Sequence, residues 1–540
     1  MFFWRRPLLL ASVLVNVLLP LVVAGVSGNL GIPHNDGWAY SKIAERYATT
    51  GSIDLVGWNR AALLGQFIFL GPLARSLFVQ QIITGVFGIM ALVCLHEILC
   101  QVMPERKSGI AVVAFGIWPG FSLLTTSFME DIPAISTSFL AILLAERAIV
   151  RNSSPLFVGS LICAIWSFTI REQGIATVVG IIVVTVGIAY VRRSFRMSFV
   201  MAASMTTFAL LGVFSLWRRS LPNADAAQLA FTTRSFRYLA GAAAVVFFEL
   251  ALIVGPVILL SERIQHWKFR SWIAALMALC VGGIAWHIRG TAGFFLPNYF
   301  SRNGAYAVAW PSLPIFSSSV WGVVVVFAIC MGCLVIGQIA TMTRSHLSLV
   351  VSRTPVMVAF SALTFVGIVV ALLSTQGLYD RYLISLLPIF YALTVHEHQI
   401  NRSSAVRTTV AKSRRIHVLL LPGAFCLTFI FGVSMAVSLN AWARDAALWD
   451  VASEYVDKGY AASRIDAGLG WIGWSAPGPV VNRQAAASPW GRMFGLPQAC
   501  ITLTSEKVDD QGQLMEIRNY RTFLLTGQSS IFLYRLDDCV

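Results

Sequence analysis

Charged residues are scarce in this chain. Lys, Arg, Asp and Glu make up 12% of its 540 residues, whereas hydrophobic residues make up 57%. A typical soluble domain is about 25% charged, and a water-soluble core could not absorb so much apolar side chain at a mean hydropathy of +0.73. The composition therefore excludes a soluble enzyme, a disordered chain and a DNA-binding domain.

Several sequence signals are also missing. The chain has no Walker-type glycine loop, no long internal repeat and no low-complexity tract. No small-residue cleavage site follows the first apolar stretch, which is therefore predicted to be a retained membrane span and not a signal peptide. The net charge of +15 is concentrated between apolar runs, where Lys and Arg set topology and meet anionic lipid. Nucleic acid is not an expected partner.

Apolar runs of about 20 residues recur along most of the chain, and each can cross a bilayer about 30 Å thick. They predict an all-α polytopic membrane protein with about thirteen transmembrane helices. The predicted spans are 8–26, 77–99, 108–125, 132–150, 155–170, 174–191, 198–216, 239–260, 272–288, 317–341, 356–374, 382–399 and 416–438.

Basic residues occur in alternate short loops. The pattern includes Arg5/Arg6, Arg106/Lys107, Arg151, Arg192/Arg193/Arg196, Arg263/Lys268/Arg270, Arg344/Arg353 and Arg402/Arg407/Lys412/Arg414/Arg415. Because Lys and Arg are retained on the cytoplasmic side, we expect the N-terminus inside. An odd number of spans then places the C-terminal tail outside.

Two long outer segments are predicted. The first outer loop covers about 27–76, within a membrane domain of residues 1–440. The tail, 441–540, is expected to be a small extracytoplasmic α/β domain, because a helical stretch precedes three strand-like runs. The helix is expected at Ala441–Lys458 and the strands at 500–504, 522–526 and 530–536. The only cysteines of the tail, Cys500 and Cys539, are candidates for a disulfide, which an outer compartment permits.

Ionisable residues next to apolar spans are costly, so each one asks for a reason. On the predicted outer side they collect in four places: Asp36, Glu130 with Asp131, Arg171, and Arg381 with Tyr382. Each also has a structural interpretation. Asp36 and Asp131 are suitable N-caps for the helices that follow them, the first of which is expected at Trp38–Tyr47, and Arg171 is next to Glu172, with which it could pair.

Together, the four places suit one chemistry. A carboxylate can deprotonate an acceptor hydroxyl, and arginine can hold a phosphate in bidentate fashion. Carboxylates such as Asp36 and Asp131 would also serve a divalent metal, Mg or Mn. No other cofactor is indicated.

These motifs resemble the GT-C superfamily of integral-membrane glycosyltransferases, in particular the branch with bacterial protein mannosyltransferases and the lipid A aminoarabinose transferase. The matching segments are the early Asp36, Ser127…Glu130-Asp131-Ile132-Pro133, Arg381-Tyr382…Pro388 and the tail motif Ile465-Asp466-Ala467-Gly468…Trp471-Ile472-Gly473-Trp474. Many relatives have Asp-Glu at the first motif. Here Gly37 follows Asp36, so Asp36 is the sole base candidate of that loop.

The resemblance implies a GT-C-like fold in the plasma (inner) membrane with juxtamembrane helices in the first outer loop. It implies inverting transfer from a polyprenyl-phosphate sugar to a glycan, lipid or protein acceptor. Asp36 would take the acceptor proton, while Glu130 and Asp131 would position hydroxyls or hold the metal. The phosphate-binding candidates are Arg381 with Tyr382, Arg171, Lys42 and Arg60.

Two other functions stay open. One is a transporter or flippase of lipid-linked glycans, although transporters place ionisable groups near the bilayer midplane in repeated halves. The other is a non-catalytic envelope-assembly protein that uses its tail as a binding module. Glu249 lies inside the eighth predicted span, and its role is left open. The triplet His396-Glu397-His398 is interpreted as a solvated helix end.

Overall fold

The structure is a computed structural model. It describes residues 6–55, 64–192, 195–222, 233–261, 267–306, 314–374, 378–395, 409–475, 499–508, 512–522 and 527–536. Of the predicted features, Arg60, the His396–His398 triplet and Cys539 lie outside the described residues.

The described chain is mostly helical. A first helix runs from Pro7 to Val26 with a π-helical turn at Leu14–Leu18. The other helices are Gly37–Thr50, Leu64–Phe67, Ile68–Arg75, Leu77–Leu99, Glu105–Ile117, Pro119–Thr125, Asp131–Arg151, Ser154–Ile170, Glu172–Gly174, Ile175–Arg192, Met197–Arg219, Phe236–Ser261, Phe269–Arg289, Ser318–Ile339, Arg344–Arg353, Pro355–Leu373, Asp380–Leu386, Leu387–Thr394, Thr409–Asp457, Ala462–Arg464 and Leu469–Ser475.

The polytopic architecture is confirmed, and the chain is a multi-pass membrane protein. Within the described residues, ten helices are long and apolar enough to cross a membrane, and a bent pair makes an eleventh candidate. The other two predicted spans correspond to shorter helices. Ser154–Ile170 has only 17 residues, and the span predicted at 382–399 begins as a 3-10 helix, Asp380–Leu386, that continues as Leu387–Thr394.

The third predicted span is not one straight helix. Glu105–Ile117 and Pro119–Thr125 meet at an angle of 74°. Trp118 between them has extended backbone (ψ 131°), because the residue before a proline is driven out of the helical region. The bend ends just before the acidic loop at Glu130.

Different polar residues occupy the two ends of the helix bundle. Near the N-terminus, Arg6 bonds to Glu97, which also accepts a bond from Arg147 at 2.8 Å. These residues come from the start of the first helix and the ends of two others. The loops with Asp36, Glu130, Arg171 and Arg381 lie at the opposite end of the bundle. These residues therefore share one end of the fold, as expected if they lie at one face of the membrane.

The helix expected at Ala441–Lys458 is not separate from the last predicted span. Both belong to one helix, Thr409–Asp457, of 49 residues. Its final turns carry Leu448, Val451 and Tyr455, which pack against the sheet of the tail. No break marks the domain boundary at residue 440, which stays a prediction.

The tail contains a four-stranded sheet of order β1-β2-β4-β3. The strands are β1 Ile465–Asp466, β2 Ile501–Thr504, β3 Gln513–Arg521 and β4 Gln528–Arg535. β1 and β2 are parallel, and the other pairs are antiparallel. The strands predicted at 500–504 and 530–536 are present, whereas residues 523–526 of the strand predicted at 522–526 lie outside the described residues. β3 precedes that range and alternates exposed with half-buried residues, as an edge strand does.

Candidate functional site

Asp36 lies in the first outer loop, immediately before the helix Gly37–Thr50. Although Asp36 occupies the N-cap position, its side chain makes no capping hydrogen bond. The carboxylate instead faces Arg381, with 3.6 Å between Asp36 Oδ2 and Arg381 Nη2. The interpretation of Asp36 as a helix cap is therefore wrong, and the side chain is available for another role.

Glu130 and Asp131 begin the helix Asp131–Arg151 and are both buried. Asp131 accepts a hydrogen bond from Arg171 Nη1, and Arg171 Nε lies 3.4 Å from Glu130 Oε1. Neither carboxyl caps the helix. Arg171 does not pair with its neighbour either, since Glu172 binds Arg218 at 2.6 Å.

Arg381 connects the two acidic loops. Its Nη2 faces Asp36, and its Nη1 lies 3.7 Å from Asp131 Oδ2. Both distances exceed a normal hydrogen bond. In the part of the chain that the structure describes, the buried Nε of Arg381 and Oδ2 of Asp131 have no hydrogen-bond partner. The guanidinium thus lies between two carboxylates, and its Nε is unbonded among the described residues, which suits an incoming anion.

Aromatic side chains enclose the two guanidinium groups. The ring of Tyr382 lies 5.1 Å from Arg171 Cζ and 5.7 Å from Arg381 Cζ. The ring of Tyr379 lies 5.5 Å from Arg381 Cζ and packs edge-on against the ring of Tyr382. Such cation–π contacts orient a guanidinium without using its N–H donors. Tyr382, predicted as a substrate-binding residue, therefore has a defined position between both arginines.

Burial shifts the acid strength of the carboxyls. It raises the pKa of Asp36, and the neighbouring Arg381 guanidinium offsets part of that rise. Burial also raises the pKa of Glu130 to about 7; Arg171 acts against this rise and the Asp131 charge adds to it. A carboxyl with a raised pKa is a stronger base once it is ionised, so Asp36 is suited to proton abstraction.

The tail packs directly on the Asp36 loop. A Cβ added to Gly473 would lie 2.3 Å from the ring of Trp38, a side chain with no exposed surface. A second link joins His34 Nδ1 to Asp445 Oδ2 at 2.7 Å. The tail motif Ile465–Trp474 thus supports the loop that presents Asp36.

Two groups near the site, Tyr299 and Asp380, are not among the residues predicted from the sequence. Tyr299 is fully buried, and its hydroxyl lies within the influence of the Arg381, Asp131 and Asp36 charges. Asp380 accepts backbone hydrogen bonds from Tyr299, Phe300 and Arg381, each at 2.7 Å. An aromatic loop carries no mark of which tyrosine turns inward. Asp380 directly precedes Arg381 in the sequence, but an acidic residue beside an arginine does not indicate which backbone amides it binds.

The predicted phosphate-binding residue Lys42 is not part of this cluster. Among the described residues, the charges that act on it are Glu45 and Arg46, and burial lowers its pKa to about 8. The cluster that the structure assembles consists of Asp36, Glu130, Asp131, Arg171 and Arg381, with Tyr382 between the arginines.

The carboxylates of this cluster do not fit a divalent metal as they are arranged. In the part of the chain that the structure describes, no three His, Cys, Asp or Glu side chains are grouped as a metal site. Asp36 and Asp131, the predicted ligands, both face guanidinium groups. A cation would have to displace those arginines, so no step below involves a metal.

Comparisons with known proteins find no matching family model and no matching curated protein. Among solved structures, the apo oligosaccharyltransferase of Archaeoglobus fulgidus is 12% identical with a TM-score of 0.45, covering 92% of this chain and 64% of that chain. ArnT from Cupriavidus metallidurans bound to undecaprenyl phosphate is 11% identical with a TM-score of 0.40, covering 96% and 97%.

This chain spans about 64% of the length of the oligosaccharyltransferase. With identities of 11–12% and TM-scores of 0.40–0.45, these matches carry no argument about the activity of this chain. The activity is argued below from this chain's own residues.

Proposed function

We propose that the chain is an inverting glycosyltransferase that moves a sugar from a polyprenyl-phosphate donor to a hydroxyl of an envelope glycan, lipid or protein. The observation that carries the proposal is the convergence of Asp36, Glu130, Asp131, Arg171 and Arg381. They come from four segments far apart in sequence. Nothing local requires them to meet, whereas a reaction with a base and an anionic leaving group does.

In the proposed reaction, Asp36 takes the proton of the acceptor hydroxyl. The acceptor oxygen forms a bond to the anomeric carbon as the bond from that carbon to the phosphate oxygen breaks. The electron pair goes to the leaving polyprenyl phosphate, whose charge Arg381 and Arg171 stabilise. Glu130 and Asp131 hold the arginines and bond to sugar hydroxyls.

The contact between Asp36 and Arg381 implies an order of events. Base and leaving-group stabiliser must act on opposite sides of one carbon, with about 3 Å between the acceptor oxygen and that carbon alone. The two side chains therefore separate before transfer. The donor phosphate is the anion that can draw Arg381 away from Asp36, which then lacks its counterion and becomes a stronger base.

The proposed location is the plasma (inner) membrane, with the N-terminus in the cytoplasm and the tail outside. The disulfide-bonded state of Cys500 suits an oxidising compartment. Reporter fusions at Ser403 and Gly459 test this topology. Both reporters on one side would contradict it.

The activity is tested with full-length protein in proteoliposomes that contain a panel of undecaprenyl-phosphate sugars and an envelope fraction as acceptor. Wild type should release undecaprenyl phosphate. Asp36→Asn should reduce the release by about 100-fold or more, while its binding of undecaprenyl phosphate is retained. Asp54→Asn is the matched control, because Asp54 lies in the same loop and pairs with Arg46.

Two results would contradict the proposal. Full release by Asp36→Asn would show that no proton transfer depends on this carboxylate, as expected for an assembly protein. Movement of the intact donor across the membrane without release of undecaprenyl phosphate would indicate a flippase.

A further inference from the structure

A tight turn presents Asp36, and the first residue of this turn is His34. The backbone N–H of Gly37 donates to the carbonyl of His34 at 2.9 Å and closes the turn. Asn35 inside it has a φ of 49°, a left-handed conformation that is uncommon for residues other than glycine. Such a conformation persists only where neighbouring contacts hold it. The side chain of His34, which is only 1% exposed, supplies a contact of this kind.

His34 is bonded to a pair of neighbouring charges on the helix Thr409–Asp457. Its Nδ1 lies 2.7 Å from Asp445 Oδ2, and because a carboxylate only accepts hydrogen bonds, Nδ1 carries the proton. The other oxygen, Asp445 Oδ1, accepts bonds from Nε and Nη2 of Arg444 at 3.0 and 2.9 Å. Each carboxylate oxygen therefore has its own partner, and these bonds fix the direction of the Asp445 side chain.

The third nitrogen of Arg444 extends this series of bonds to the loop that follows the helix Phe269–Arg289. Arg444 Nη1 donates to the carbonyl of Ala305 at 3.0 Å, and Arg444 Cζ lies 5.9 Å from the ring of Tyr306. Tyr306 also has a positive φ, 61°, and its N–H donates to the carbonyl of Asn298 at 2.6 Å. Each end of the bonded series therefore lies beside a residue in an uncommon backbone conformation.

The same loop leads to the arginine side of the site. Tyr299, which follows Asn298, donates its backbone N–H to one oxygen of Asp380, and the other oxygen of Asp380 accepts the N–H of Arg381. A continuous path of bonds thus joins the turn of Asp36 to Arg381. Its middle consists of two side chains of the long helix. The proposed reaction needs base and leaving-group stabiliser at a defined separation, and these two side chains contact both loops that carry them.

We propose that His34, Asp445 and Arg444 are positioning residues that set the separation between Asp36 and Arg381. The inference rests on the proposed function, because it assigns these residues to the same site. They act through the two loops that they join and bind neither the donor nor the acceptor. The long helix thereby takes part in assembling the site, in addition to carrying the tail.

The test measures release of undecaprenyl phosphate by the full-length protein in proteoliposomes. The donor is the undecaprenyl-phosphate sugar of the panel that wild type uses fastest, at increasing concentration. His34→Ala removes the bond to Asp445 and should lower kcat by about tenfold to 100-fold, because a small displacement of reacting groups has effects of this size. The KM for the donor should be unchanged, since no donor contact is lost.

His34→Asn is the conservative variant that should recover most of the lost rate. Its amide places an N–H close to the position of the histidine Nδ1–H, so the bond to Asp445 can form again. The pH dependence of its rate should match that of wild type, because positioning requires only an N–H donor. His287→Ala is the matched control, since it removes an exposed histidine from the same end of the bundle, and it should keep the wild-type kcat.

A double variant tests whether the bonds act as one series. Arg444→Lys keeps a positive charge beside Asp445 but has one nitrogen in place of three, so it should also lower kcat. If Arg444 and His34 act through the same connection, the double variant His34→Ala/Arg444→Lys should lose less than the product of the two single losses.

The outcomes separate this inference from the proposed function. Wild type that releases no undecaprenyl phosphate would overturn the proposed function and this inference with it. When wild type is active, an unchanged kcat of His34→Ala with a lower melting temperature would show a purely structural role. His34→Asn that is as slow as His34→Ala, or that has an altered pH dependence, would show that the imidazole itself takes part in proton transfer. Single losses that multiply in the double variant would show independent effects, and each of these three results would overturn this inference alone.

Discussion

Because Glu130 is buried, the stability of the protein should fall as the pH rises. The carboxyl is 9% exposed, and burial raises its pKa from 4.5 to about 7. Above pH 4.5 the unfolded chain releases this proton while the folded chain keeps it. Stability therefore falls as the pH rises from 4.5 to 7 and is constant above that range. Glu130→Gln has no proton to lose, so the variant lacks this decline.

The magnitude follows from the size of the shift. Each pKa unit corresponds to about 1.4 kcal/mol, so the interval between 4.5 and 7 contributes about 3 kcal/mol. For a chain of this length that is about 3 °C in melting temperature. Relative to wild type, the melting temperature of Glu130→Gln should therefore rise by about 3 °C between pH 5 and pH 8.

Melting curves in detergent at half-unit pH steps measure the difference. Glu172→Gln is the matched control, because it removes a half-exposed carboxylate from the same end of the bundle and should follow the wild-type pH dependence. Parallel curves for wild type and Glu130→Gln would refute the reasoning. They would mean that Arg171 and Arg381 keep Glu130 ionised in spite of its burial.

Two other predictions concern the tail. Gly473→Ala places a methyl group against the Trp38 ring, so it should destabilise the protein by about 1–3 kcal/mol and reduce transfer activity. Gly432→Ala is the control, because a Cβ there has nothing within 4 Å, and it should leave stability and activity unchanged. Equal activity of the two variants would contradict the role of the Gly473–Trp38 contact. Mass spectrometry of unreduced peptides should find Cys500 linked to Cys539, and reduction should lower tail stability by about 3–4 kcal/mol in the chain-entropy model; free Cys539 would contradict this pairing.

Much of the fold could be predicted from apolar runs, because a span must be long and apolar whatever its neighbours are. The helix predicted at 77–99 is present as Leu77–Leu99. The failures have local causes. The run 108–125 stays apolar across its bend, so composition hides the break at Trp118. The run 416–438 ends where polar residues begin, although the helix continues to Asp457 because the sheet covers its next turns.

The charged part of the site could be predicted for a related reason. Asp36, Glu130, Asp131, Arg171 and Arg381 stand out because ionisable groups are rare beside apolar spans. Their pairing could not be predicted, since sequence neighbours suggested caps and an Arg171–Glu172 pair. The structure shows cross-segment pairs in their place. The buried position of Tyr299 was harder still to predict, because a tyrosine in an aromatic loop gives no sign of the direction in which its ring points.

The continuous helix Thr409–Asp457 is a rigid connection between the last predicted span and the tail. With a rise of about 1.5 Å and a turn of about 100° per residue, its residue count sets the rotational phase at which the tail meets the first outer loop. One residue added near Asn440 would swing Gly473 away from Trp38, whereas seven added residues would nearly restore the angle at a greater height. Insertions that are harmless in an ordinary linker would here misalign the tail and the Asp36 loop, so the helix length contributes to the geometry of the proposed active site.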